Sequence, residues 1–164
     1  MEEKTAKNQT LKIKTTQKDL TENKNLAFLN ELYKNVQMGK LSFEYLLPKV
    51  KDNKLKEELL KQYHDYEKLT ASISGAIIEM GKTPKSSLGM IKPMLKSSIN
   101  MTTMFNSSNR KIADMVIQGG NKGIMDINRL LNRSSKSLPE KSIKLANTLL
   151  ETQQRHIDEL KKWL

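Results

Sequence analysis

The chain of 164 residues contains no cysteine, four prolines and seven glycines. Without cysteine there are no disulfides and no thiolate-held zinc or iron–sulfur centres. The scarcity of proline and glycine argues against a β-rich fold, whose turns use both. Only 5% of the residues are aromatic. No run of 18 apolar residues exists, so no segment reads as a membrane-spanning helix. The N-terminal MEEKTAKNQT lacks the hydrophobic region of a signal peptide, and the expected location is the cytoplasm. Enzyme motifs are absent too. There is no Ser–His–Asp ordering and no zinc-protease helix, and Gly119-Gly120-Asn121-Lys122-Gly123 lacks the Gly-Lys-Ser/Thr ending and the preceding strand of a phosphate loop.

Acid is scarce in one region. The net charge is +11, yet residues 25–80 are neutral while residues 81–136 hold ten basic side chains against two acidic ones. Charged residues are 29% and apolar ones 37%, a balance that fits amphipathic helices around one core.

Residues 1–22 lack an apolar period and read as a disordered tail, leaving 23–164 as one helical bundle domain. Leu29, Leu32, Val36, Phe43, Leu46 and Val50, with Gly39 in register, predict a first helix from about Asn25 to Leu47 that Pro48 terminates. Gly39 would let a neighbour approach closely. A second helix starts after an N-cap at Asp52 or Asn53. It carries Leu55, Leu59, Gln62, Tyr66, Leu69, Ile73, Ala76 and Met80 at heptad spacing and stops at Gly81. Ile112, Met115, Val116, Ile117, Ile124, Ile127, Leu130 and Leu131 predict a third helix over about Asn109–Arg133. Its Gly119, Gly120 and Gly123 suggest close helix contact or a bulge. Ile143, Ala146, Leu149, Leu150, Gln153, Ile157, Leu160 and Leu164 predict a last helix from near Pro139, antiparallel to the third across a short loop.

Residues 82–107 admit two readings. Pro84, Gly89 and Pro93 argue for interruption, whereas Leu88, Ile91, Leu95, Ile99, Thr102 and Phe105 keep a helical period. The segment is either the start of one very long third helix or a crossover with a helix inside it. Equal lengths for the other helices favour a break near Ser107–Asn109.

Four helices of matching length raise the question of a di-iron bundle, which needs a Glu from each of two helices and a Glu-x-x-His pair from each of the others. The two histidines sit on the second and last helices, where such pairs belong. Lys61 and Gln153 stand three residues before His64 and His156, and the middles of the remaining helices offer Gln37 and Gln118. An amide is neutral and does not balance a metal's charge. Gln37, Gln62, Gln118 and Gln153 therefore read as polar core residues that set helix register. His64, Glu67, Glu151 and His156 are the candidates for a metal site with unusual ligands. The stretches Asn35–Gly39 (NVQMG), Leu47–Val50 (LPKV), Met101–Thr103 (MTT) and Ile112–Gly119 (IADMVIQG) resemble an uncharacterised family of ferritin-like bacterial proteins typical of clostridia. The resemblance spans roughly residues 26–164 and implies a ferritin-like four-helix bundle without an assigned reaction.

On a straight helix Lys92, Lys96, Arg110, Lys111, Lys122, Arg129 and Arg133 fall within an arc of about 140°. Such a stripe suits phosphates, an anionic membrane or an acidic protein, though no aromatic residues interleave it for base stacking. Met90, Met94, Met101 and Met104 recur at helical spacing, a pattern for adaptable packing or association.

Together these features describe an all-α, ferritin-like bundle that acts as a non-enzymatic structural or interaction protein with a degenerate di-iron site. A protein partner or a homo-oligomer is expected, and no cofactor. The alternatives are nucleic-acid association through the basic stripe, and a metal-binding or redox role with iron or manganese. Removing residues 1–22 is expected to move the thermal midpoint by less than about 2 °C, because a segment without an apolar face buries little; a larger drop in a calorimetric scan contradicts the reading.

Overall fold

A computed structural model describes residues 2–86, 88–89, 91–134 and 138–164, and for residues 2–17 the backbone alone. Among the described residues there are five α-helices and no strand: α1 (Glu2–Leu46), α2 (Asn53–Glu79), α3 (Ile91–Phe105), α4 (Asn109–Ser134) and α5 (Glu140–Leu160). The all-α class expected from the heptads is what forms.

Local chemistry sets the boundaries. Pro48 turns the end of α1 into a short 3-10 stretch, Leu47–Lys49. Asp52 caps α2, its Oδ1 accepting the Leu55 N–H at 2.9 Å, a contact that contributes about 1 kcal/mol. Gly81 closes α2 at a φ of 69°, a left-handed conformation that glycine adopts without strain. α3 and α4 are separate helices. At the break, Asn106 Oδ1 accepts the Ser108 N–H at 2.9 Å and Ser108 Oγ accepts the Lys111 N–H at 3.3 Å. These side chains satisfy donors that a continuous helix would have used. The break decides between the two readings of residues 82–107: the segment is a crossover with a helix inside it.

The polar N-terminal segment continues the first helix. The helix begins at Glu2, and residues 18–22 of the segment read as a tail are helical with every side chain exposed. Propagating an existing helix takes one hydrogen bond per residue and no new nucleus. The packed part of α1, from Asn25 onward, thus carries the polar stretch with it although that stretch has no apolar stripe to bury.

The directions of the helices follow from their contacts. Asn25 meets Met80 at one end, and Gly39 meets Tyr66 further up, so α2 descends beside α1. Ser142 bonds Asn25 and Gln153 bonds Asn35, so α5 ascends with α1. Gly120 meets Ile157 and Gly123 meets Gln153, so α4 descends against α5. The crossover climbs α1: the Lys85 N–H donates to Asn30 Oδ1 at 2.8 Å, Ile91 reaches the level of Lys34 and Met38, and α3 packs on α1. The order is up, down, long crossover, down, up, with α1 and α5 on one diagonal.

Core residues follow the heptads closely in α1 and α2. Leu29, Leu32, Val36, Phe43, Leu46, Leu55, Leu59, Leu69 and Ile73 are buried, joined by Phe28 and Ile77. In α4 only Ile112, Ala113 and Ile127 are fully buried, and Leu164 is exposed.

Gly39 has the closest neighbour of any glycine in the chain. A Cβ there would lie 2.3 Å from Tyr66 Cε1, and the Tyr66 ring is itself held against Phe43 at 5.5 Å between centroids. At Gly75 a Cβ meets nothing within 4 Å. Gly75→Ala should therefore stabilise by about 0.5–1 kcal/mol through helix propensity. Gly39→Ala should destabilise by about 1–2 kcal/mol because overpacking exceeds that gain. Urea unfolding of the two variants checks this, and equal effects of the same sign refute it.

Candidate functional site: the polar middle of the bundle

Halfway along the bundle the core turns polar. Gln62 and Tyr66 from α2 and Gln153 and His156 from α5 are buried there, with Asn35 of α1 half-buried beside them. Gln153 Nε2 donates to Asn35 Oδ1 at 2.9 Å and to Tyr66 Oη at 3.3 Å. Asn35 Nδ2 in turn donates to the Gly123 carbonyl at 3.3 Å. That chain of bonds joins all four bundle helices. Gly123 makes room for it, since a Cβ there would stand 2.7 Å from Gln153 Nε2. Gln62 Nε2 donates to the His156 carbonyl at 3.2 Å and to Glu58 Oε1 at 3.3 Å.

His156 is 3% exposed and its ring packs on Tyr66, 5.6 Å between centroids. Its Nε2 lies 3.2 Å from Asp65 Oδ2, which also receives Arg155 at 2.8 Å. Burial pushes His156 down from its ordinary 6.5, and the Asp65 hydrogen bond offsets this only in part. The ring is therefore neutral at pH 7, its Nε2–H donating to the Asp65 carboxylate and its Nδ1 left as an acceptor. Burial raises Asp65, but hydrogen bonds from Arg155, His156 and Lys68 outweigh it and bring it to about 2.

Gln62 Oε1, Gln153 Oε1 and His156 Nδ1 are buried and have no protein donor. All three are acceptors. Acceptors of this kind disfavour an oxyanion in the layer.

The four glutamines named from the sequence do not form one layer. Gln62 and Gln153 lie in it, but Gln37 is half-buried outside it and Gln118 is exposed and bonded to Asp114 at 2.9 Å. Their places are taken by Asn35 and Tyr66. Asn35 belongs to the NVQMG stretch, two residues before Gln37; neither amide lies on the Leu29–Val50 heptad, so spacing alone did not show which one turns inward. The metal candidates also separate. His64 is exposed and pairs with Glu67 at 3.0 Å, Glu151 is exposed, and His156 alone is buried. Among the described residues no three His, Cys, Asp or Glu side chains stand close enough to share an ion.

The basic stripe requires correction, because it assumed one straight helix and the chain breaks at 106–108. Lys92 and Lys96 lie on α3, which runs opposite to α4, while Arg110 and Lys111 begin α4. Lys122, Arg129 and Arg133 line a cleft with Lys34 of α1, where Glu31 and Asp126 also sit. Lys111 pairs with Asp114 at 3.2 Å, and Asp126 takes Lys122 at 3.4 Å and Arg129 at 3.5 Å. Met90 lies outside the described residues, while Met94, Met101 and Met104 are exposed.

Residues 24–133 match a domain of unknown function, DUF2383. The chain belongs to the DUF2383 family. No curated protein and no solved structure matches it. The DUF2383 match covers the packed part of α1, all of α2 and α3, and α4 to Arg133. It ends before α5, so Gln153 and His156 complete the polar layer from outside the matched span.

Asp65 makes stability pH-dependent. Its folded pKa of about 2 lies below the ordinary 3.8, so its contribution is complete above about pH 4 and is lost as pH falls toward 2. His156, also depressed, adds a loss that begins as pH drops below 6.5. Between pH 7 and pH 3, Asp65→Asn should lose roughly 0.5–1 kcal/mol less unfolding free energy than the unaltered chain, allowing for solvent screening. Parallel pH profiles in urea titrations contradict this.

Proposed function

We propose that this DUF2383 chain is a non-enzymatic, ferritin-like helical bundle of the cytoplasm that works as a structural or interaction protein, its di-iron position occupied by a neutral hydrogen-bonded layer. The ferritin-like reading is supported by connectivity: two antiparallel helix pairs joined by one long crossover is the arrangement found in ferritin-like bundles. The non-enzymatic reading rests on one observation, the donor set at mid-bundle. Where carboxylates would bridge iron, the chain has Gln62, Gln153, Asn35 and Tyr66, none of them anionic at neutral pH. The one buried imidazole is engaged with Asp65, whose charge Arg155 already balances. Two irons there would bring several positive charges against few carboxylates, of which Glu58 is shared with Gln62 and Lys162 and Asp65 with Arg155, a combination that neutral amides stabilise poorly.

Protein purified without chelator should carry iron, manganese and zinc well below one ion per chain by mass spectrometry. Near-stoichiometric metal that is lost in His156→Ala would overturn the reading and favour a redox role.

A further inference from the structure

We propose that α3 is a surface-lying anchor that docks this bundle onto an anionic lipid bilayer. The proposal names the partner for the interaction reading above. It draws on none of the interior residues, so metal content and lipid binding fail or succeed separately.

α3 buries one face and leaves an apolar face outside. Ile99 and Thr103 are buried, and Ile91, Leu95 and Thr102 are half-buried. Nearly opposite lie Met94 at 69% exposure, Met101 at 62%, Met104 at 74% and Phe105 at 80%. At 100° per residue these four share an arc of about 100°, with Pro93 and Ser97 beside them. A surface helix of a bundle ordinarily shows polar side chains there. Four large apolar side chains on one outer face of a 15-residue helix mark a contact surface.

Charge identifies the partner. Between Glu79 and Asp114 the chain holds six basic residues, Lys82, Lys85, Lys92, Lys96, Arg110 and Lys111, and no acidic one. Lys96 is exposed on α3 about 80° from Met104 and shares the shallow depression with Met101 and Met104, while the exposed Lys92 projects from the other side of the helix. A second copy of this chain is disfavoured, because a two-fold contact through α3 would bring two acid-free, cationic segments together. A helical protein partner needs a groove between two elements. The shallow depression here is lined by Pro93, Lys96, Ser97, Asn100, Met101 and Met104, all from α3, which makes the surface a ridge. A ridge with an apolar crest and cationic flank matches a bilayer whose headgroups are anionic and whose acyl boundary deforms around side chains. Methionine's flexible thioether adapts to such a boundary. No helix among the described residues is long and apolar enough to cross a membrane, so contact is made from one side.

The test is co-sedimentation of the full chain with vesicles of phosphatidylcholine alone or mixed with phosphatidylglycerol. Binding is expected with the mixed vesicles and should fall at least about tenfold when Met94, Met101 and Met104 are replaced by serine, since the apolar term is then removed. Lys96→Glu with Arg110→Glu should weaken it comparably. These positions are exposed, so each variant should keep its helical circular dichroism and thermal midpoint. The cysteine-free background allows a second reading: an environment-sensitive dye on Met101→Cys should shift to the blue with phosphatidylglycerol vesicles, and one on Ser72→Cys should not. The proposal is overturned by absent binding at low salt, or by binding that ignores the methionine replacements, which is charge adhesion alone. Tighter retention on duplex DNA than on vesicles overturns it as well. So does a dimer, abolished by the serine variant, in a protein that ignores vesicles.

Discussion

The Tyr66 ring occupies the notch that Gly39 leaves in α1, and the middle of the bundle is arranged around it. The absence of one Cβ lets an aromatic ring stand where two helices would otherwise keep their distance. From that position Tyr66 touches Phe43 on one side and His156 on the other, and its hydroxyl accepts Gln153 Nε2. Gln153 then reaches Asn35, and Asn35 reaches the Gly123 carbonyl. Two glycines on different helices thus make room for one tyrosine and one glutamine, and those two side chains fix the relative heights of all four helices.

Leucine and isoleucine heptads alone would tolerate sliding by a turn, because one apolar layer resembles the next. A slide would strand the buried amides of Gln62 and Gln153, at a cost of about 1–3 kcal/mol for each unpaired group. Apolar contacts therefore supply most of the stability, and the polar layer supplies the register. The same layer governs the chemistry the interior can do. Its buried side chains are neutral, its orphan atoms are acceptors, and its carboxylates sit at the edge, Asp65 between Arg155 and His156 and Glu58 beside Gln62. A site of this kind holds a shape and a proton arrangement. It does not gather the negative charge that a pair of metal ions needs.

α3 inverts the usual pattern, with methionines and a phenylalanine outward. It packs on α1 through Ile99 and Thr103 alone among fully buried residues, so it is held more lightly than the bundle helices. The crossover lets α4 descend parallel to α2, and in making that journey it exposes a segment that carries no acid. Connectivity and surface chemistry thus meet in one stretch, residues 82–108.

Heptad spacing by itself determined the helices, their caps and most of the core. Leu29 through Leu46 and Leu55 through Ile73 bury as the pattern requires, because a 3-4 repeat of large apolar residues has one face to hide. Asp52, Pro48 and Gly81 act within a few residues of themselves, and local effects are visible in sequence. Gln62 and Gln153 were legible as interior amides because they occupy heptad positions otherwise held by leucine. Tertiary structure alone decided the rest. It chose Asn35 and Tyr66 over Gln37 and Gln118, because inward direction depends on where a neighbouring helix lies. It turned His64 out and His156 in, and it split the basic stripe at Asn106–Ser108, where side-chain caps replaced helix hydrogen bonds. It also turned Met94, Met101 and Met104 outward, since periodicity shows that residues share a face and only packing shows what that face meets.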